Sequence, residues 1–436
     1  MNAKNFFNQK NIIIITITAI TILVIAVVLK NNYNKKGKDV IAQENHNYNI
    51  YMSAVTLPSF FSLMDIEKNE QTPAFCYIAK TDMINKDEIL KKHPNFVMSE
   101  NCGKKDESDF LTLVIPEAQQ YVKDTIMKDS EAHFCLYIDE YRFYAEFPLF
   151  AELGLTDDQY DVKLYSDGTL SYAKDYEITE ENVYDKYLEE TKKYNEYLEK
   201  ARNGEYLNKK QGVAEYLKDN QQYYLNYNYD YIFISSLRKN ITYYLQYPEL
   251  IEFKDEKIAD IMKNSNMKKI EAQYEYEQLN DEEKANFIKY VNIDKALMDN
   301  KYFNAENGKY LIITGTKPFF GNGSEEGFKN TIREICNKYQ NEYKILYKPH
   351  PSALPDENQE KILEENNIKI LPGKIPMEAI SFIYPELKLG GYASSLYMSV
   401  DKGKTLFFFA KDKNDLVEPL NKLYDSLFSD AEFMNV

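Results

Sequence analysis

The chain has 436 residues and a formal net charge of −16, from 53 Lys and Arg against 69 Asp and Glu. Its length exceeds one ordinary domain, its 44% apolar content is that of a globular protein, and its acidity argues against a nucleic-acid binder, which needs a basic face to displace counterions. The four cysteines, Cys76, Cys102, Cys135 and Cys336, have neither metal spacing nor a disulfide framework, which fits a reducing compartment.

After a short tail (residues 1–11), residues 12–29 (IIIITITAITILVIAVVL) run without a charge. That is long enough to cross a bilayer. Lys30 follows directly and no small-residue cleavage site intervenes, so the segment reads as an uncleaved single-span anchor rather than a signal peptide. Lysines at 30, 35, 36 and 38 against Lys4 and Lys10 lean toward a cytoplasmic placement of the rest of the chain. Residues 30–47, rich in Lys and Asn, read as a tether.

From residue 48 strands and helices alternate. Strand patterns fall at 49–55, 74–78, 95–98, 132–138 and 162–165, with helical patterns such as 58–67 and 109–126 between them. Such alternation argues a parallel sheet with right-handed crossovers. Between 177 and 299 the pattern becomes helical and charged, with i,i+4 pairs over 180–202. The rhythm restarts with strands at 310–314, 344–347, 368–371, 387–389 and 405–409 and helices at 325–338, 357–366, 377–384 and 395–400; a last helix covers 416–428. The expected architecture is α/β: two Rossmann-like doubly wound domains, residues 48–307 with a helical insert and 308–412, facing a cleft. Residues 413–436 are placed to pack back on the first domain. The chain has 38 Tyr and 24 Phe but no Trp. The tyrosines of 183–300 read as biased usage on amphipathic helices, with a carbohydrate-binding surface as the functional alternative.

Two segments carry most of the chemistry. Lys348-Pro349-His350-Pro351 ends one strand pattern and Gly390-Gly391-Tyr392-Ala393-Ser394-Ser395 another, each opening toward a helix. Open α/β sheets bind ligands at strand carboxyl ends, and helix starts favour anions. A lysine, a histidine and two serine hydroxyls there suit a phosphate. Of the other histidines, His46 lies in the tether, His93 has no such cluster and His133 sits in a strand. Asp167, in Ser166-Asp167-Gly168, also follows a strand. An Asp-Gly pair is a common turn; in a cleft its carboxylate suits a general base. Glu378 begins a helix, where a carboxylate suits the dipole or two ribose hydroxyls. No Asp-x-Asp is present, so a hard-metal site is not indicated.

In order and spacing these segments resemble the bacterial sialyltransferases of glycosyltransferase family 80. The resemblance begins at YMSAVTLP (51–58), passes through 165–172, ITGT (313–316) and 343–345, and ends with KPHP (348–351) and GGYASSLY (390–397). It implies a GT-B fold and inverting, metal-independent transfer of sialic acid from CMP-sialic acid to a galactoside of a surface glycan, α2,3- or α2,6-linked, without a cofactor. It assigns Asp167 as general base and His350 as the residue assisting the departing phosphate. Ser394 and Ser395 hold that phosphate, Glu378 the cytidine ribose, and Lys348 and Gly315 belong to the donor site. An ordinary aspartate pKa of about 4 suffices for a base that takes its proton late. Three departures stand out: Ser166 replaces an acidic residue, Phe319 replaces a tryptophan that packs on the acceptor, and the region of an acceptor-side histidine holds Tyr141. The family context implies a bacterial inner-membrane protein using cytoplasmic CMP-sialic acid. Rival readings are a transferase for another CMP-activated acidic sugar such as Kdo, and an inactive membrane-anchored glycan-binding protein.

Overall fold

The structure, a computed structural model, describes residues 46–169, 171–172, 183–205, 230–315, 324–351 and 353–435. The expected membrane anchor at 12–29, nearly all of the tether and Phe319 lie outside them. Among the described residues no helix is long and apolar enough to cross a membrane.

Among the described residues the strands form two parallel sheets within Asn47–Val436. The first contains β1 (Asn47–Ser53), β2 (Ala74–Ile78), β3 (Phe96–Met98), β4 (His133–Asp139), β5 (Tyr160–Tyr165), β6 (Ile241–Leu245) and β7 (Met267–Lys269), in the order β3-β2-β1-β4-β5-β6-β7. The second contains β8 (Tyr310–Thr314), β9 (Lys344–Lys348), β10 (Lys369–Ile370), β11 (Lys388–Gly391), β12 (Thr405–Phe408) and β13 (Glu432–Phe433), in the order β10-β9-β8-β11-β12-β13. Both sheets therefore reverse winding direction once, between β1 and β4 and between β8 and β11. Those reversals are where open α/β sheets gape for ligands.

The strands read as they do because helices cover both faces. β2 and β8 are buried at every position, as parallel sheets require. The helix Glu325–Tyr339 shows the complementary pattern. It buries Phe328, Ile332, Ile335, Cys336 and Tyr339 on one face, and the Ser324 hydroxyl accepts from the Gly327 N–H at 3.0 Å at its start.

Three strands depart from the sequence expectation. β6 and β7 lie inside the stretch read as helical, and β13 follows the expected last helix. β6, ITYYL, is rich in β-branched and aromatic residues; surrounding helical periodicity masked it. β7 (MKK) and β13 (EF) are short edge strands that only a neighbouring strand specifies. The expected helix 416–428 starts later, at Leu420, and runs as an α-helical segment, Leu420–Leu423, directly into a π-helical one, Tyr424–Phe428. The segment adds β13 to the second sheet and packs Phe428 on Phe408 at 5.3 Å.

One hydrophobic core cluster spans both sheets, and a second, with Leu311, Ile313, Tyr347 and Phe407, belongs to the second sheet alone. Phe60, on the helix Thr56–Lys68, meets Phe382, on the helix Met377–Ile383, edge-on at 5.9 Å. Tyr276 stacks on the same Phe382 ring at 5.8 Å. The Tyr384 hydroxyl donates to Asp299 at 2.7 Å, so the lobes are joined by rings and hydrogen bonds as well as by the chain.

Candidate active site

A cavity of about 230 Å³ lies where the two winding reversals face each other. It is lined by Val55, Thr56 and Leu57 after β1, Lys80 after β2, Asp167 and Thr169 after β5, Glu378, and Ser395 and Ser399 after β11. Strand carboxyl ends from both sheets thus converge on one space, and the fold brings Asp167, Glu378 and Ser395 together across it.

The Asp167 turn is built tightly. Gly168 has φ +118°, and a Cβ there would stand 2.9 Å from the Cβ of Ser395. Only glycine lets this turn touch the serine segment of the other lobe. The Asp167 N–H donates to the Ser171 hydroxyl oxygen at 3.0 Å. Ser171 in turn donates to Glu140 Oε1 at 2.7 Å, and the Tyr243 hydroxyl donates to Glu140 Oε2 at 2.8 Å. Glu140, 2% exposed, thereby fixes the backbone of the candidate base. Tyr141, in the region of the absent histidine, donates its hydroxyl to the Asp167 carboxylate.

Burial raises the Asp167 carboxyl pKa to about 7. The negative charges of Glu140 and Asp139 push the same way, while Lys80 and the Tyr141 hydrogen bond oppose them. This differs from the ordinary value expected from sequence. Where the chain has Ser166 beside Asp167, negative charge reaches Asp167 through space from Asp139, the last residue of β4, and Glu140 after it. Asp139 is wholly buried at the first winding reversal, where its Oδ2 accepts from the Ala54 N–H at 2.7 Å. Sequence reasoning missed Asp139, Glu140 and Lys80; an acidic pair directly after a strand pattern was the available signal for the first two.

Lys80 is the one lysine or arginine among the described residues lining the cavity. Its ammonium donates to Thr56 Oγ1 at 2.6 Å, between the carboxylates of Asp167 and Glu378 whose charged forms it favours. Burial raises the Glu378 pKa, and its own backbone N–H, Lys80 and Lys348 only partly offset the shift.

On the second lobe the glycine pair has a steric reason. A Cβ on Gly390 would run into the Phe407 ring, and one on Gly391 (φ +142°) would run into the Thr314 carbonyl. β11 can therefore lie close against β8 and β12. Thr314 Oγ1 shares a 2.9 Å hydrogen bond with the buried Tyr397 hydroxyl, which ties the turn after the serines back to β8. The helix expected at 395–400 is a 3-10 segment, Ser395–Ser399. Its dipole is short, so hydroxyls rather than a helix end must provide most of an anion site here.

Lys348 is buried and donates to the carbonyls of Pro349 (2.8 Å) and Gly373 (3.0 Å), which pins the loop before Glu378 to the end of β9. Burial lowers its pKa to about 8, with Glu378 pulling the other way. The Gly315 N–H donates to the Lys348 carbonyl at 2.9 Å. Ser394 precedes Ser395 in extended conformation. His350 lies in the next turn, exposed, its carbonyl accepting from the Ala353 N–H at 3.0 Å; it is not among the lining residues of the cavity. Among the described residues no group of three or more His, Cys, Asp or Glu is placed to hold a metal ion.

The family model described as Sialyltransferase PMO188 matches residues 48–428. Among solved structures the chain is similar to an α/β-galactoside α-2,3-sialyltransferase from the luminous marine bacterium Photobacterium phosphoreum, with TM-score 0.62 and 16% identity over 89% of this chain and 99% of that one. It is similar to residues 113–497, the GT-B domain, of a Photobacterium damselae sialyltransferase, with TM-score 0.60 and 16% identity over 89% and 99%. It is also similar to a 2,6-sialyltransferase of Photobacterium sp. JT-ISH-224 in ternary complex with CMP and lactose, with TM-score 0.58 and 19% identity over 89% and 78%. No curated protein sequence matches. At these identities the likeness to solved structures is one of fold.

Proposed function

This chain belongs to the sialyltransferase PMO188 family and is a glycosyltransferase; we propose that it moves sialic acid from CMP-sialic acid to a galactoside hydroxyl, with Asp167 as general base. The observation that carries this reading is the one cavity that Asp167, Ser395 and Glu378 line together at two facing winding reversals. The solved 2,6-sialyltransferase complex, which holds CMP and lactose, supports the substrate classes.

In this reading the acceptor hydroxyl attacks the anomeric carbon as the bond to the CMP phosphate breaks. Charge grows on the departing phosphate, where Ser394, Ser395, Lys348 and His350 stabilise it, and on the sugar ring as an oxocarbenium-like centre. The acceptor proton passes to Asp167 late in the step. Glu378 receives the ribose hydroxyls. Lys80 faces the sugar's own carboxylate, which would otherwise stand unpaired beside Asp167. No step calls on a metal. Residues 12–29 would hold the enzyme at the inner membrane with its cleft in the cytoplasm, near the supply of activated sugar.

The deciding experiment measures CMP release and transfer to lactose for the wild type and Asp167→Asn. The variant should lose about 100-fold or more. A near-normal rate in the variant would remove Asp167 from its role, and absence of any release from CMP-sialic acid by the wild type would overturn the reading. The same variant should unfold at higher temperature than the wild type at pH 8. The carboxyl's folded pKa lies above its unfolded one, so stability falls as pH rises from about 4 through about 7, and the deficit is fully present above that.

A further inference from the structure

Beside the catalytic cavity a second one of about 330 Å³ lies between the lobes. Its size falls within the range of small-ligand pockets, about 300–1,000 Å³. One wall comes from residues after β6 and β7, the other from residues 398–402, just past the serine pair. Ser399 lines both cavities, so they are separated by the width of one side chain.

The partition is built rather than incidental. Gln246, 2% exposed, donates Nε2 to Ser399 Oγ at 3.2 Å, while its Oε1 has no partner among the described residues. Tyr247 donates its hydroxyl to the Met398 carbonyl at 2.8 Å and holds the two lobes together at the cavity wall. Tyr274, on the helix Ala272–Glu277, is 54% exposed at the same cavity. Its ring therefore offers an accessible flat face at the cavity wall.

The charges narrow the ligand class. Three carboxylates, Glu271, Glu277 and Asp401, share the lining with two ammonium groups, Lys269 and Lys402, and Lys269 is already paired with Glu271 at 2.5 Å. No surplus positive charge remains for an anion. The Tyr247 ring is covered by the Lys269 ammonium at 5.6 Å, which leaves Tyr274 as the open ring, and such a ring flanked by carboxylates and amides suits a neutral sugar: the sugar's C–H face packs on the ring and its hydroxyls donate to the oxygens. We propose that this cavity is a second carbohydrate subsite, taking a neutral sugar of an acceptor longer than a disaccharide while the reacting galactose sits beside Asp167. The proposal rests on the transferase reading above and gives its acceptor a chain length.

Two measurements test it. Transfer to lactose is compared with transfer to lacto-N-neotetraose, in wild type, Tyr274→Ala and Glu277→Gln. The wild type should favour the tetrasaccharide in kcat/KM by about five- to tenfold, and Tyr274→Ala should bring the ratio close to one. Equal wild-type rates for the two acceptors, or a ratio unmoved by both variants, overturns the subsite. Saturation-transfer NMR with lacto-N-neotetraose and no donor should show contact at sugars other than the terminal galactose, lost in Tyr274→Ala. Contact confined to the terminal galactose again overturns it. If neither acceptor yields CMP release, the transferase reading fails on its own, and the NMR result still decides whether the cavity binds a neutral glycan.

Discussion

At the scale of residues, Asp167 in the cavity and Lys348, buried at the end of β9 outside the cavity lining, have proton affinities that straddle neutral pH. Asp167 is raised to about 7 and Lys348 lowered to about 8, each chiefly by burial. In the proposed reaction the base must be ionised and the lysine protonated. The kcat/KM profile should therefore rise through about pH 7 and fall above about pH 8. Besides burial, four groups set the first limb: Glu140 and Asp139 push it up, Lys80 and Tyr141 pull it down. Glu140→Gln keeps an acceptor for Ser171 but removes a negative charge, so the limb should move to lower pH. A limb that stays put in this variant would limit Glu140 to holding the backbone. Lys80→Met should raise the KM for CMP-sialic acid about tenfold or more, the worth of a hydrogen bond to a charged group, with a smaller effect on kcat. An unchanged KM would remove Lys80 from the sugar carboxylate.

At the scale of elements, the Gly390-Gly391 pair sets how closely β11 can lie against its neighbours. Gly391→Ala combines a left-handed φ with a backbone clash, so it should cost about 3 kcal/mol or more. Urea unfolding measures this, and a loss below about 1 kcal/mol would show that the strand can shift. This is also the scale at which the sequence was most and least legible. Strands buried on both faces were plain, because a short continuous apolar run such as YLIIT (β8), bounded by polar residues, fits a central parallel strand and is too brief for a buried helix. The motif turns were plain because their glycines and prolines mark strand ends. β7 was not, since MKK carries no pattern of its own. The polar frame of Asp167 was hidden for a related reason: Glu140, Ser171 and Tyr243 lie far apart in the chain, and only the register of β4, β5 and β6 places them around one carboxylate.

At the scale of the molecule, function depends on two sheets keeping a fixed separation. Phe382 is the ring on which Phe60 and Tyr276 converge. Phe382→Ala should cost about 3–5 kcal/mol of stability and also weaken donor binding, because Glu378 sits on the same short helix. Thermal unfolding with and without CMP separates the two effects: the variant should melt lower and gain less from the nucleotide. An equal gain would mean that the donor wall does not feel the ring. Thr56 lies one helical turn before Phe60, and Glu378 one turn before Phe382. The pair of phenyl rings works like a spacer clamped between the jaws of a vice. Its thickness gauges the bite, and a change of ring size there should alter the gap between Thr56 and Glu378 without altering either side chain.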